Sequence, residues 1–183
     1  MTPTQTHLET LHIRTVEGRG ILDVPGFRAQ GVHVGLKKKR RDVCLIVSDR
    51  PTAAAGVFTQ NAFAAAPVIV SLAHLADGDI RAIVCNAGNA NACTGKQGMK
   101  DAEEMAVIAA RELGLEPHQL LVASTGIIGR PLDMEKVRRG VHECAITMDG
   151  ALGPEVAEAI TTTDTTTKTV QLEIEAAGRV FHM

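Results

Sequence analysis

The chain has 183 residues, of which 45% are apolar and only 2% aromatic, with no Trp, no Tyr and a net charge of -2. That length suits one domain with a core of its own, and the core must be built from Ala, Val, Ile and Leu. Scarce aromatics remove the stacking surface that nucleic acid needs. The small charge provides no field toward DNA or an anionic membrane.

The opening "MTPTQTHLET" lacks the basic-then-apolar pattern of a signal peptide. Gly18, Gly20, Pro25 and Gly26 break up residues 1–30 into short strands and turns. The run Lys37-Lys38-Lys39-Arg40-Arg41 reads as a solvated turn leading into a strand; an anion or partner site is the functional alternative. Four short apolar runs follow: 43–49, 53–59, 67–72 and 80–87. Turn residues separate them, and runs apolar on both faces predict strands buried on both sides. At Asp101 the period changes. Asp101 and Glu104 have capping-box spacing. Ala102, Met105, Ala106, Ile108, Ala109 and Leu113 continue at helical spacing until Gly114 stops the helix.

Residues 119–124 return to strand. Residues 134–148 predict a helix with Val137, Val141, Cys144 and Ala145 on one face, and 153–160 predict another with Pro154 in its first turn. Val170, Leu172 and Ile174 then alternate with Gln171, Glu173 and Glu175, as in a half-exposed strand. Ala177-Gly178 turns this strand into a second one, Arg179 to Met183. A strand stopping so abruptly suggests a processed or shortened polypeptide. The pattern predicts an α/β protein, helices packed on β-sheets, with residues 1–183 forming a single domain.

Cys44, Cys85, Cys93 and Cys144 show no CxxC spacing and read as reduced, buried small hydrophobes of a cytosolic protein. The histidines form no HxxxH or HxH pair, so no metal site is expected. No apolar stretch reaches about 18 residues, so no transmembrane helix is expected.

Three stretches could carry chemistry. "CNAGNANACTG" (85–95) joins a strand to a helix with small residues that allow close backbone approach, and with asparagines that both donate and accept. An elaborate turn would look the same. In "LLVASTGIIGRP" (120–131), Ser124, Thr125 and Gly126 close an apolar strand. An N–H and a hydroxyl there could hold an oxyanion. A nucleophile there is disfavoured, because no GxSxG elbow exists and no acid or histidine is adjacent. Spacing alone leaves a turn and a site equally open. "TTTDTTTK" (161–168) could present hydroxyls to a polar substrate, but composition favours a polar helix end entering a strand.

These stretches occur together, in this order, in one family. "GFRAQGVHVGLKKKRRDVCLIVSD", "TAAAGVFTQNAFAAAPVIVS", "IRAIVCNAGNANACTG", "LLVASTGIIG" and "AITTTDT" resemble segments of the ornithine acetyltransferases, or bifunctional glutamate N-acetyltransferases, of arginine biosynthesis. The resemblance implies the α subunit of a self-cleaving enzyme with an αββα, N-terminal-nucleophile-like architecture shared with a β subunit. It implies an α2β2 assembly, with the nucleophilic threonine at the β subunit's N-terminus and that residue's α-amino group as base. The acetyl group would pass from N2-acetylornithine to glutamate without metal or cofactor, acetyl-CoA being a further possible donor. Thr125 and Gly126 match the oxyanion pair. Thr162 matches a substrate-binding threonine, with Thr163 beside it. Family members often carry Met where Thr161 stands, and a proline where Thr167 stands. The family's Lys-Gly-Ser-Gly segment and cleavage site are absent, so the α subunit is expected to extend further. An aminopeptidase or amidase of the related superfamily, or a non-catalytic small-ligand module, are the alternatives.

Overall fold

A computed structural model describes residues 11–183. The N-terminal segment read as lacking a signal peptide lies outside the described residues. The chain runs through β1 (His12–Thr15), β2 (Phe27–Val32), β3 (Val43–Ser48), α1 (Ala66–Asp77), β4 (Ala82–Asn89), α2 (Gly95–Leu113), β5 (Leu120–Ile127), α3 (Met134–Thr147), α4 (Gly153–Ile160), β6 (Leu172–Ala176) and β7 (Arg179–His182). The main sheet has the order β2-β3-β4-β5. Its first three strands are antiparallel, and β4 and β5 are parallel, joined through α2. A smaller antiparallel sheet has the order β1-β6-β7. The layered α/β expectation holds.

Alternation sorts the main sheet into two faces. Val43, Leu45 and Val47 of β3 point with Val84 of β4 and Leu120 and Val122 of β5 into one core. Met105 and Ala109 of α2 and Val137, Val141 and Cys144 of α3 close it from above. Leu45, Met105, Val84, Leu120, Val137 and Val141 are fully buried, each contributing about 1.5–3 kcal/mol. The opposite face shows Cys44, Cys85 and Ala123, which pack on Ala159 of α4. Only Gly31 lets α4 lie this close, because a Cβ there would stand 2.4 Å from the Glu155 carbonyl oxygen.

The edge strand β5 is tied to α1 by side chains. Ser71 Oγ donates to the Val122 carbonyl at 2.7 Å and accepts from the Val122 amide at 2.8 Å. His74 Nδ1 donates to the Leu120 carbonyl at 2.7 Å. These contacts explain one departure from the sequence reading: residues 67–72 are helix, not strand. Pro67 opens it, Gly78 closes it in the left-handed conformation, and the side chains of Ser71 and His74 face the strand edge. The run 53–59 is likewise no strand. It is irregular, with Val57 fully exposed.

Helix α2 starts at Gly95, six residues before the expected cap. Asp101 lies buried inside it and accepts from Gln97 Nε2 at 2.8 Å. The stop at Gly114, both later helices and the terminal hairpin stand as expected. In that hairpin Gln171 is buried and Val170 exposed, the reverse of their expected sides, since both precede the paired strand. Cys44, Cys85 and Cys144 are buried free thiols, whereas Cys93 is exposed in the loop before α2. No described helix is long and apolar enough to cross a membrane.

Candidate active site

The site forms where β5 ends. Val122 turns its N–H and C=O outward to Ser71. Alternation carries that direction along the strand, so the Gly126 amide also faces the open edge. Residue 127 has the opposite sense, because its carbonyl accepts from Ala90 N at 3.0 Å. The half-buried Thr125 lies in register with Ala87 and shares its face with Ala123 and Cys85, the face that α4 covers. Strand pairing therefore places an amide and a hydroxyl side by side at one corner.

Only glycine fits at position 126. Its φ is +132°, and a Cβ there would lie 2.4 Å from the Gly88 carbonyl carbon and 2.6 Å from the Asn89 nitrogen. Both are backbone atoms of the neighbouring strand. The register shifts beside them, between Gly88 and Asn89. Asparagines from the 85–95 stretch hold this irregularity in place. Asn86 Nδ2 donates to the Asn89 carbonyl at 2.9 Å, and Asn89 Nδ2 donates to the carbonyls of Arg130 and Pro131. Asn91 Nδ2 donates to the Gly98 carbonyl at 2.8 Å, joining the loop to α2. Asn86, Asn89 and Asn91 are all buried. They serve the backbone, and their stretch reaches the cleft only through Gly88.

A cleft of about 730 Å³ opens at this corner. Thr125, Gly126 and Ile127 form one wall, Thr162 and Thr163 another. Lys37, Lys38, Lys39 and Arg40 close a third side, and Arg130 adds a further cation. All four residues singled out from the sequence, Thr125, Gly126, Thr162 and Thr163, thus meet in one cleft. Thr162 and Thr163 reach it because they follow α4, and α4 packs on the Thr125 face of the sheet. The basic run is the solvated bend leading into β3 that was expected, with Lys38 and Lys39 exposed, and it also forms a wall of the cleft. Its residues are far from β5 in sequence, and the β3–β4 and β4–β5 pairings bring the two together.

A buried carboxylate shapes that wall. Asp42 is fully buried and accepts from the backbone amides of Val34 at 2.8 Å, Gly35 at 3.0 Å and Lys37 at 2.9 Å. His33 Nδ1 lies 3.2 Å from the same carboxylate and 2.6 Å from the Arg40 carbonyl. Charge-assisted bonds of this kind are about twice as strong as neutral ones. Lys37 Nζ donates to the carbonyls of Thr161 at 2.8 Å and Glu158 at 3.2 Å. Burial pushes the Lys37 ammonium below its ordinary value of 10.5, and Asp42 and Glu158 oppose that shift.

The ArgJ family profile matches residues 28–183. The chain belongs to the ArgJ family. It is 44% identical over 162 residues to the arginine biosynthesis bifunctional protein ArgJ of Symbiobacterium thermophilum, covering 87% of this chain and 40% of the relative. It is 45% identical over 145 residues to the protein of the same description from Geobacter sulfurreducens, covering 79% and 37%. The chain thus spans about two fifths of the length of the curated relatives it matches. Among solved structures, the arginine biosynthesis bifunctional protein ArgJ of Bacillus halodurans superposes with a TM-score of 0.87 at 35% identity, covering 96% of this chain and 92% of that one. The ornithine acetyltransferase of Mycobacterium tuberculosis, solved in complex with ornithine, superposes with a TM-score of 0.85 at 36% identity, covering 94% and 92%. The family and the layered fold expected from the sequence are both confirmed.

Proposed function

We propose that this ArgJ chain is the α subunit of an acetyltransferase that moves the acetyl group from N2-acetylornithine to glutamate in arginine biosynthesis. The convergence of Thr125, Gly126, Thr162 and Thr163 on one cleft carries the reading. The attacking threonine comes from a companion β chain of the same precursor, in an α2β2 assembly, with its own α-amino group as base. Its hydroxyl adds to the amide carbonyl of acetylornithine while the amine takes the proton. Negative charge then develops on the carbonyl oxygen. The Thr125 hydroxyl and the Gly126 N–H donate to it, each worth about 3 kcal/mol in such a hole. Collapse breaks the C–N bond, the leaving amine takes up the proton, and an acetyl-threonine ester remains. The α-amine of glutamate attacks that ester in a second passage through the same oxyanion.

Thr162 and Thr163 orient the bound amino acid. The cations at the cleft attract the carboxylates that donor and acceptor both carry. The face of the sheet that α4 leaves partly uncovered suits the second layer of an αββα sandwich. Chemistry by hydroxyl, amine and amide groups requires no metal or cofactor. Buried free thiols suit the reducing cytoplasm.

The test uses the complete precursor. Mass and N-terminal sequence of its products should reveal a second chain beginning with threonine. Thr125→Ala should slow both self-cleavage and acetyl-enzyme formation by roughly 10²-fold, because each passes through an oxyanion. Wild-type rates for both steps would refute the assignment. Release of acetate without N-acetylglutamate would make the protein an amidase. Acetyl-CoA offered in place of acetylornithine tests the wider donor range.

A further inference from the structure

The basic run does more than line the cleft. Lys37 holds the carbonyl of Thr161, the residue before Thr162. Arg40 Nη1 holds the carbonyl of Asp164, the residue after Thr163, at 2.8 Å. The two threonines are therefore bracketed by two cations from one loop. The other end of the bracket rests on the opposite wall. A Cβ at Gly88 would lie 3.0 Å from both Lys37 Cγ and the Leu36 carbonyl oxygen, so the Lys37 stem lies against the Gly88 backbone. Gly88 in turn is the register partner of Gly126 and touches it directly. Contact thus runs unbroken from Gly126 through Gly88 and Lys37 to the carbonyl of Thr161. The loop itself is fixed from beneath by Asp42, which accepts from the Lys37 amide.

Helix ends explain why lysine suits this place. The Glu158 carbonyl, in the last turn of α4, accepts from the Thr161 amide at 3.2 Å and from the Thr161 hydroxyl at 2.8 Å, and a cation is favoured beside such a helix end. Lys37 adds a charged donor to the Glu158 carbonyl and a bond to the Thr161 carbonyl just past the helix end.

We propose that Lys37 and Arg40 are positioning residues: a clamp that sets the spacing between the Thr162–Thr163 wall and the Thr125–Gly126 corner. This inference rests on the acetyltransferase reading for its kinetic consequence but not for its structural one. With the clamp cut, residues 161–164 keep their sequence and their hydroxyls but lose their fixed distance from the oxyanion corner. Substrate binding should suffer more than the chemical step.

The experiment compares Lys37→Met, Arg40→Met, Lys37→Arg and Arg40→Lys in the complete protein. Methionine keeps a flexible stem and removes the donors. Hydrogen exchange is measured without substrate, so that a lysine serving only to touch substrate would give no change. Amides of residues 161–164 should exchange about 10-fold faster in Lys37→Met than in wild type, as expected for lost charge-assisted bonds. The amides of β3 should be unchanged. In the transfer assay KM should rise about 10-fold with kcat within about 3-fold, and the two conservative variants should recover much of both effects. Wild-type exchange at 161–164 in both methionine variants overturns the clamp, as does equal loosening of β3, which would mean general destabilisation. Failure of the wild-type protein to transfer acetyl overturns the proposed reaction alone, because the exchange result still decides on the clamp.

Discussion

Replacing Gly126 with alanine tests the corner most directly. Two costs add. An alanine at φ +132° leaves its allowed backbone regions, which costs of order 1–3 kcal/mol. Its methyl would also stand 2.4 Å from one backbone atom of the adjoining strand and 2.6 Å from another. Neither can swing aside as a side-chain tip would, so β4 and β5 must part locally, at about 1–3 kcal/mol. Gly78 provides the control. Its φ is +78°, and a Cβ there meets nothing within 4 Å. Gly78→Ala should therefore cost about 1 kcal/mol, against roughly 4 kcal/mol for Gly126→Ala. In thermal unfolding of the complete protein, the fall in midpoint should be about four times larger for Gly126→Ala. Transfer activity of the folded Gly126→Ala fraction should drop roughly 10²-fold as its N–H moves away from the oxyanion position. Equal midpoint losses for the two variants would refute the argument from backbone collision.

Asp42→Asn should cost about 3–5 kcal/mol in thermal or denaturant unfolding, because an amide cannot present acceptors to three amides and the His33 ring together. Asp133 caps α3 by accepting from the Lys136 amide at 3.3 Å, and that bond lowers its carboxyl below the ordinary 3.8. Its folded pKa is depressed, so the stabilisation is present at neutral pH and lost as pH falls through the folded value. Asp133→Ala should thus be less stable than wild type by about 1 kcal/mol at pH 7, and the gap should close in acid below the ordinary 3.8. Burial pushes the Cys144 thiol up to about 12, so iodoacetamide at pH 8 should leave Cys144 unmodified in the folded protein while the exposed Cys93 reacts. Peptide mapping of the alkylated protein checks this.

The elements with one dominant local signal were legible in the sequence. Helix α3 declared its buried face through Val137, Val141 and Cys144, and β3 through an unbroken apolar run. Helix α1 did not, because Val68, Ile69 and Val70 favour strands locally. Contacts 46–51 residues away, from Ser71 and His74 to β5, accompany the helical state. Asp101 misled for a related reason. A carboxylate three residues before a glutamate resembles a cap, but Asp101 is buried and bonded within a helix already under way. Thr125 and Gly126 stood out as a stretch that was ambiguous between a turn and a site, and the oxyanion role proposed for them came from the resemblance and not from spacing. The part played by Lys37 and Arg40 was invisible. A run of five cations gives no hint that two of them bond to carbonyls more than 120 residues later.

The side-chain bonds from α1 to β5 also bear on assembly. An edge strand with free amides and carbonyls invites another chain to extend the sheet. Here one serine and one histidine occupy the outward groups of Leu120 and Val122, so the first half of the edge is insulated against foreign strands. Insulation by these two residues ends before Gly126. The strand is thus closed along its first half and open at Gly126, the corner proposed to hold the oxyanion, and removing Ser71 would expose the closed half to foreign strands while leaving that corner untouched.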